Sequence, residues 1–172
     1  VVADAYVGPL FTSYLDKLES ELEVLLGKSR RLVIMHSGGG LMSVDRARHR
    51  PHTTIESGPA AGVMAAAELG SQVSIPSVIS FDMGGTTAKA SMIEGGRIDY
   101  SPEYEVGSSL SVVNRLVGGG GELIRAPSID IAEVGAGGGS VAYLDSAGGL
   151  RVGPRSAGAV PGPVCYERGG TE

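Results

Sequence analysis

Val78-Ile79-Ser80-Phe81-Asp82-Met83-Gly84-Gly85-Thr86-Thr87-Ala88-Lys89-Ala90-Ser91-Met92-Ile93 is the stretch from which the rest of the chain can be read. An apolar run, Val78 to Asp82, reads as a strand. Met83 to Thr87 reads as a turn, and Ala88 to Ile93 as a second strand. A turn this short forces its two strands to be antiparallel neighbours. The turn also carries the parts that phosphate binding needs. Amides of Gly84 and Gly85 have no side chains beside them and can converge on phosphate oxygens. The Thr86 and Thr87 hydroxyls add donors. The Asp82 carboxylate, at a strand end, can hold Mg²⁺ through water, since that ion dehydrates reluctantly. The same residues also fit a plain hairpin turn with Asp82 as its polar neighbour.

Downstream, Gly95-Gly96 turns the chain into a third strand, Arg97 to Val106. Gly107 to Arg125, with Gly118-Gly119-Gly120-Gly121, reads as a mobile loop. Ile129 to Val134 is a further strand running into Gly135–Ser140. Ser140 to Val152 reads as a hairpin turning at Gly148-Gly149. The Pro/Gly-rich tail from Gly153 to Gly170 lacks a regular pattern. Upstream, Pro9 opens an amphipathic helix. Its apolar positions are Leu10, Tyr14, Leu15, Leu18, Leu22 and Leu25, and Gly27 stops it. Arg31 to Met35 is a buried strand feeding Ser37-Gly38-Gly39-Gly40. Leu41 to Arg50 starts a second helix, capped by Ser43 and ended by Pro51. Ser57-Gly58-Pro59 opens an alanine-rich helix closed by Gly70. The pattern is α/β, with antiparallel hairpins and flanking helices. It divides into residues 1–70, a helical and α/β segment, and residues 71–172, a β-rich portion.

Composition narrows the function. A length of 172 residues suits about one domain of roughly 150 residues. Hydrophobic residues at 42% and charged residues at 19% are globular values. With no Trp and two Phe, the core must be aliphatic. The 28 glycines cluster without a collagen period, so they mark tight turns or close backbone approaches. A net charge of −5 without a basic run argues against nucleic acid and anionic membrane surfaces as partners. One cysteine forms no internal disulfide, which fits a cytoplasmic protein. No apolar run approaches the roughly 18 residues of a membrane span, and no leader pattern is present. The chain starts without Met inside VVADAYVGPL and stops at ERGGTE, which reads as a piece of a longer polypeptide.

Other candidates carry two readings each. The N-terminus of the Ser57-Gly58 helix offers free N–H groups and partial positive charge to an anion; ordinary capping by Ser57 explains the same residues. Gly135 to Ser140 lets backbone pass close to a ligand or to another loop. Lys89 suits phosphate neutralisation, or an exposed strand position, which is the more common case. Cys165 has no activating neighbour in sequence and reads as a buried structural thiol. His36, at a glycine loop, can reach a ligand. His49 and His52 read as surface residues without metal-site spacing or a carboxylate partner. Asp130 and Glu133 lie on the strand before the third glycine run, where they suit a supporting role.

Taken in order, SGPAAGV, FDMGGTTAK, IDIAEVGAGGGS and GGLRVGPRSAGAVPGPVCYERGG resemble the hydantoinase A/5-oxoprolinase family over nearly the whole chain. That family includes N-methylhydantoinase A-type subunits, 5-oxoprolinases, and subunits of acetone and acetophenone carboxylases. The resemblance implies a partial actin-like ATPase fold of the ribonuclease H-like kind, in which two phosphate hairpins clasp one nucleotide. Asp82, Gly84, Gly85, Thr86 and Thr87 match the second hairpin; the first, a DxGGT sequence, lies outside these residues. Asp82, Thr86 and Thr87 are then the catalytic candidates, with Asp82 as the metal ligand. Gly84, Gly85, Ser57, Gly58, Gly137 and Gly138 are the candidate nucleotide contacts. The implied cofactors are ATP and Mg²⁺. The implied reaction activates an amide oxygen by phosphorylation, so that water opens a cyclic amide such as a hydantoin or 5-oxoproline. In the carboxylase branch ATP activates a ketone or its carboxylating partner. Implied partners are a hydantoinase B-type subunit or domain and an oligomeric assembly. A non-catalytic reading, in which the glycine loops serve only packing, also fits the motifs. One departure stands out: His36-Ser37-Gly38-Gly39-Gly40 occupies the place of a QSNGG-like sequence, so a side-chain amide is lost at Gly38.

Overall fold

The computed structural model describes residues 2–27, 31–106 and 121–171. The first helix, α1 (Val2–Leu26), begins seven residues before the proline expected to open it and carries Pro9 inside. Pro9 costs the helix a single N–H donor, and the chain on both sides of it keeps helical form. The inward stripe is Phe11, Leu15, Leu18 and Leu22, spaced four, three and four apart. Leu15 is fully buried against Met42, Val44 and Ala47, with Phe11, Leu32 and Ile34 packed around them. Leu10, Tyr14 and Leu25, counted in the apolar face from their spacing, are exposed.

Strand β1 (Val33–Met35) pairs antiparallel with β2 (Leu41–Ser43) across the Ser37–Gly40 turn. Helix α2 (Val44–His49) follows at once, so the expected ten-residue helix is shortened by a strand at its start. Ser43 caps it: the Arg46 amide donates to the Ser43 hydroxyl at 3.3 Å. Arg48 pins α2 to α1, donating to Asp16 and Glu19, both at 2.5 Å. A 3-10 turn (Pro51–Thr54) leads into α3 (Ser57–Gln72). Gly70 lies inside this helix rather than ending it.

The central sheet has the order β10-β4-β3. It is built from the hairpin β3 (Val78–Met83) and β4 (Ala88–Glu94), with β10 (Ala132–Val134) antiparallel to β4. The expected long third strand is broken into three. β5 (Arg97–Ile98) pairs β4, β6 (Tyr100–Ser101) pairs β9 (Ser128–Ile129), and β7 (Tyr104–Val106) pairs β8 (Glu122–Ile124). Each short piece turns to a different partner, which a continuous apolar pattern does not reveal. β8 falls within the segment read as a loop; residues 107–120 of that segment lie outside the described residues. β11 (Ser140–Leu144) and β12 (Leu150–Ser156) form the expected hairpin. β12 runs into the tail, which also holds a short 3-10 turn at Val164–Tyr166.

Alternation along β3 gives the sheet two different faces. Val78, Ser80 and Asp82 share one face; Val78 packs with Ala60 and Val63 of α3 and with Ile93, the second core. Ile79, Phe81 and Met83 share the other face and are exposed. α3 therefore covers the Asp82 face. Gly70, near its C-terminus, approaches Val78, and Glu56, before its first turn, reaches Lys89. The helix runs opposite to β3, and its N-terminus lies at the diglycine end.

Candidate functional site

The hairpin register puts Asp82 opposite Lys89 and Met83 opposite Ala88, leaving Gly84 to Thr87 as the turn. The Gly84 amide closes it on the Thr87 carbonyl at 2.9 Å. Among the described residues, the amides of Gly85 and Thr86 donate to no protein acceptor, and neither do the Thr86 and Thr87 hydroxyls. Asp82 and Thr86 are exposed, and the Asp82 carboxylate enters no ion pair there. Neither Gly84 nor Gly85 has a left-handed φ. A Cβ at Gly84 would meet only the Thr87 carbonyl, at 3.9 Å. Steric need does not explain glycine at this position.

Gly58 has the same character, with nothing within 4 Å of an added Cβ. It is the second residue of α3, at the same end of the sheet. The helix cap is Glu56 rather than Ser57, and no side chain bonds the first-turn amides. Ordinary capping by Ser57 is therefore not how this helix starts, and the amides of Ser57 and Gly58 remain available, since Pro59 has none and Ala60 donates to the Glu56 carbonyl.

The third glycine run has a different job. Gly138 donates to the Gly84 carbonyl at 2.9 Å and Gly139 to the Gly85 carbonyl at 2.8 Å. Gly137 donates to the Ser140 hydroxyl at 2.8 Å. A Cβ on Gly137 would lie 2.6 Å from the Gly84 carbonyl oxygen and 2.7 Å from the Thr86 amide nitrogen. The run thus makes the close approach to another loop that its glycines allow. The tail adds a second layer: Ala157 donates to Gly139 at 2.7 Å, and Ser156 Oγ reaches the Gly85 carbonyl at 3.2 Å. Tyr166 packs its hydroxyl beside Gly138. Two sequence-distant segments, the glycine run and the tail, thus clasp the back of the diglycine turn.

Several side chains sit otherwise than their sequence context suggests. Lys89 is no exposed strand lysine: it is 16% exposed, 2.6 Å from Glu56 and 3.6 Å from Glu133. Its partner Glu56 went unnoticed because nothing in a one-dimensional pattern joins residues 33 apart. Cys165 is exposed, not buried. His52 is not a free surface residue; its ring lies 2.6 Å from the Asp4 carboxylate, and its amide donates to the same oxygen. Burial would raise the Asp4 pKa, but the hydrogen bonds and charge of His52 outweigh that and hold it below the usual range. His49 is exposed as expected. His36 folds back on its own turn, its Nδ1 accepting from the Gly38 amide at 3.1 Å.

Behind α3, Ser37 is nearly inaccessible and acts as a bolt. Its hydroxyl donates to the Thr53 carbonyl at 2.8 Å and accepts from the Glu56 amide at 3.1 Å. Tyr104 donates to the His52 carbonyl at 2.6 Å. Burial pushes its phenol up to about 12, helped by the charges of Glu56 and Asp4 and opposed by Ser37. Among the described residues, no three His, Cys, Asp or Glu converge as a metal cluster. No described helix is long and apolar enough to cross a membrane.

The Hydantoinase/oxoprolinase family model matches residues 1–172. The chain is 46% identical over 168 residues to an uncharacterized protein of Methanocaldococcus jannaschii, covering 98% of this chain and 24% of that protein. It is 36% identical to caprolactamase subunit alpha of Pseudomonas jessenii, covering 99% of this chain and 23% of that subunit. It is 38% identical to 5-oxoprolinase 1 of Arabidopsis thaliana, covering 97% of this chain and 12% of that enzyme. The chain thus spans less than a quarter of these curated relatives. Two solved structures superpose with a TM-score of 0.65. One is the nucleotide-free acetone carboxylase, at 27% identity over 92% of this chain and 20% of that one. The other is the ATP-dependent caprolactamase from Pseudomonas jessenii, at 35% identity over 99% of this chain and 23% of that one. The fold is accordingly α/β and part of an actin-like ATPase domain.

Proposed function

The chain belongs to the hydantoinase/oxoprolinase family, and from that membership we propose that it supplies one phosphate-binding wall of an ATP-dependent enzyme that opens a cyclic amide. The observation that carries the reading is the pair of sterically unneeded glycines, Gly84 and Gly58, beside unspent amides at one end of the sheet. Amides of Gly85, Thr86 and the first turn of α3 would receive phosphate oxygens. Thr86 and Thr87 hydroxyls would add donors. Gly137 and Gly138 would serve the nucleotide indirectly, by fixing the turn from behind. The unpaired Asp82 carboxylate suits Mg²⁺, which is commonly held by one or two carboxylates, water and substrate phosphates. When bound, that ion would neutralise charge developing on the transferred phosphoryl group.

In this reading the γ-phosphorus–oxygen bond of ATP breaks as the amide oxygen bonds to phosphorus, and ADP leaves. Water then adds to the activated carbon, the ring C–N bond breaks as the nitrogen takes up a proton, and a second water cleaves the resulting acyl phosphate to carboxylate and phosphate. The relatives include a protein named as an ATP-dependent caprolactamase, one named as a 5-oxoprolinase, and an acetone carboxylase whose carboxylation is ATP-dependent. Likeness to acetone carboxylase supports a second reading, activation of a ketone for carboxylation. A relative named as a subunit supports assembly with a further subunit, for which this reading takes a hydantoinase B-type partner in the cytoplasm.

The test is ADP release by the full-length polypeptide, with its partner, on hydantoins, 5-oxoproline, and ketones with bicarbonate. Asp82→Asn is expected to lower substrate-dependent ATP hydrolysis by at least about 100-fold, the scale for losing one preorganised electrostatic group. Unchanged hydrolysis would remove Asp82 from the mechanism.

A further inference from the structure

Lys89 is the feature the nucleotide reading leaves unused. It stands in the cross-strand row Asp82–Lys89–Glu133, at the registers Asp82↔Lys89 and Glu133↔Lys89. A lysine there looks placed for phosphate, yet its ammonium is turned to the Glu56 carboxylate at 2.6 Å, with Glu133 at 3.6 Å. Both members of the closer pair are largely buried, at 16% and 20% exposure. Glu56 is the N-cap residue of α3. Its backbone amide is held from the other side by Ser37 Oγ at 3.1 Å. The start of α3 is therefore fixed at two points. One is neutral and attached to the β1–β2 turn; the other is ionic and attached to the strand that leaves the diglycine turn.

We propose that Lys89 is a positioning residue, which through Glu56 sets the distance between the first amides of α3 and the diglycine turn. The proposal rests on the reading that these two elements receive the same polyphosphate. A buried ion pair is weak evidence for stability as such, because desolvation offsets most of the attraction. Fixing the relative placement of two elements is a role it can fill at little net energetic gain. Lys89 itself does not touch the nucleotide in this account. Glu133, farther away and more exposed, is secondary.

The experiment uses the full-length polypeptide with MgATP as the probe, and the variants Lys89→Met, Glu56→Gln, Lys89→Arg and the exchange Lys89→Glu/Glu56→Lys. Two readouts are taken: hydrogen exchange of the amides of residues 57, 58 and 60–63 without nucleotide, and the KM for ATP against kcat. Lys89→Met and Glu56→Gln should each speed exchange of those amides and raise KM about tenfold, a typical coupling between neighbouring groups. The kcat at saturation should stay within about twofold, since no group acting on the transferred phosphoryl is removed. The double variant Lys89→Met/Glu56→Gln, made alongside these, should be no worse than either single one. Lys89→Arg and the exchanged pair should recover KM to within about threefold. Unchanged exchange and unchanged KM in Lys89→Met would overturn the proposal. So would a lowered melting temperature with KM unmoved, which marks a purely structural pair. If wild type fails to bind MgATP, the nucleotide reading falls instead, and the exchange data alone then decide whether Lys89 orders α3.

Discussion

Gly137→Ala adds a single methyl group where the structure has no room for it. The new Cβ would lie 2.6 Å from the Gly84 carbonyl oxygen, 2.7 Å from the Thr86 amide nitrogen and 2.8 Å from the Gly85 carbonyl carbon. All three are backbone atoms, so no side chain can swing aside. Ordinary contact begins near 3.4 Å, so the Gly84 carbonyl must retreat by about 0.8 Å. That movement pulls on the bonds from Gly138 to Gly84 and from Gly139 to Gly85. Overpacking costs typically about 1–3 kcal/mol, and each weakened backbone bond about 0.5–1.5 kcal/mol. The expected destabilisation is about 2–6 kcal/mol, a melting shift of roughly 5–20 °C for a chain of this size. The assay is urea unfolding of wild type, Gly137→Ala and Gly58→Ala. The last variant is the control, since its Cβ would meet nothing within 4 Å; it should change stability by less than about 1 kcal/mol. The midpoint of Gly137→Ala should fall with its slope unchanged, because the surface exposed on unfolding is the same. A Gly137→Ala midpoint equal to that of wild type would refute the reasoning that this run is a close-packed backing for the turn.

Ser37→Ala removes the bolt behind α3 and leaves the Glu56 amide unpaired, while the Thr53 carbonyl keeps its bond from the Ser37 backbone amide at 2.7 Å. A loss of about 1–3 kcal/mol is expected, read by chemical denaturation. Tyr104 gives a pH signature. Its phenol is raised in the fold to about 12, chiefly by burial, so the unfolded chain releases that proton first. Its contribution is intact below an unfolded pKa of about 10 and declines as pH rises toward 12. Tyr104→Phe should flatten that alkaline decline in a melting series; an unchanged slope would exclude Tyr104 as its source. Asp82→Asn should alter unfolding by less than about 0.5 kcal/mol, because an exposed, unpaired carboxylate supports nothing structurally. A large loss of stability would show that Asp82 is a structural residue.

The hairpin around Gly84 and Gly85 was legible because its information is local: two apolar runs and a turn too short for any arrangement but antiparallel. The β11–β12 hairpin and the Ser43 cap were readable for the same reason. What the sequence concealed depends on contacts between distant segments. The run from Arg97 to Val106 reads as one strand, but its pieces are claimed by β4, β9 and β8 in turn. Pro9 was given a helix start because proline is tolerated there, while the packing of Leu15 and Phe11 supports a helix long enough to contain it. Lys89 was misread because burial of a strand lysine depends on a carboxylate from another element. The glycine runs show the difference most clearly. Gly84 and Gly137 look alike in sequence, yet one faces open space and the other another backbone. Only the fold distinguishes a glycine with open space beside it from one pressed against a neighbouring loop.

The account stands or falls on where a triphosphate sits. The direct measurement is a structure of the full-length polypeptide with a non-hydrolysable ATP analogue and Mg²⁺. The account predicts phosphate oxygens within hydrogen-bonding distance of the Gly85 and Thr86 amides, the first turn of α3 facing the same phosphates, and the ion on the Asp82 side. A nucleotide bound with its phosphates away from this turn, and Asp82 still facing solvent, would contradict it.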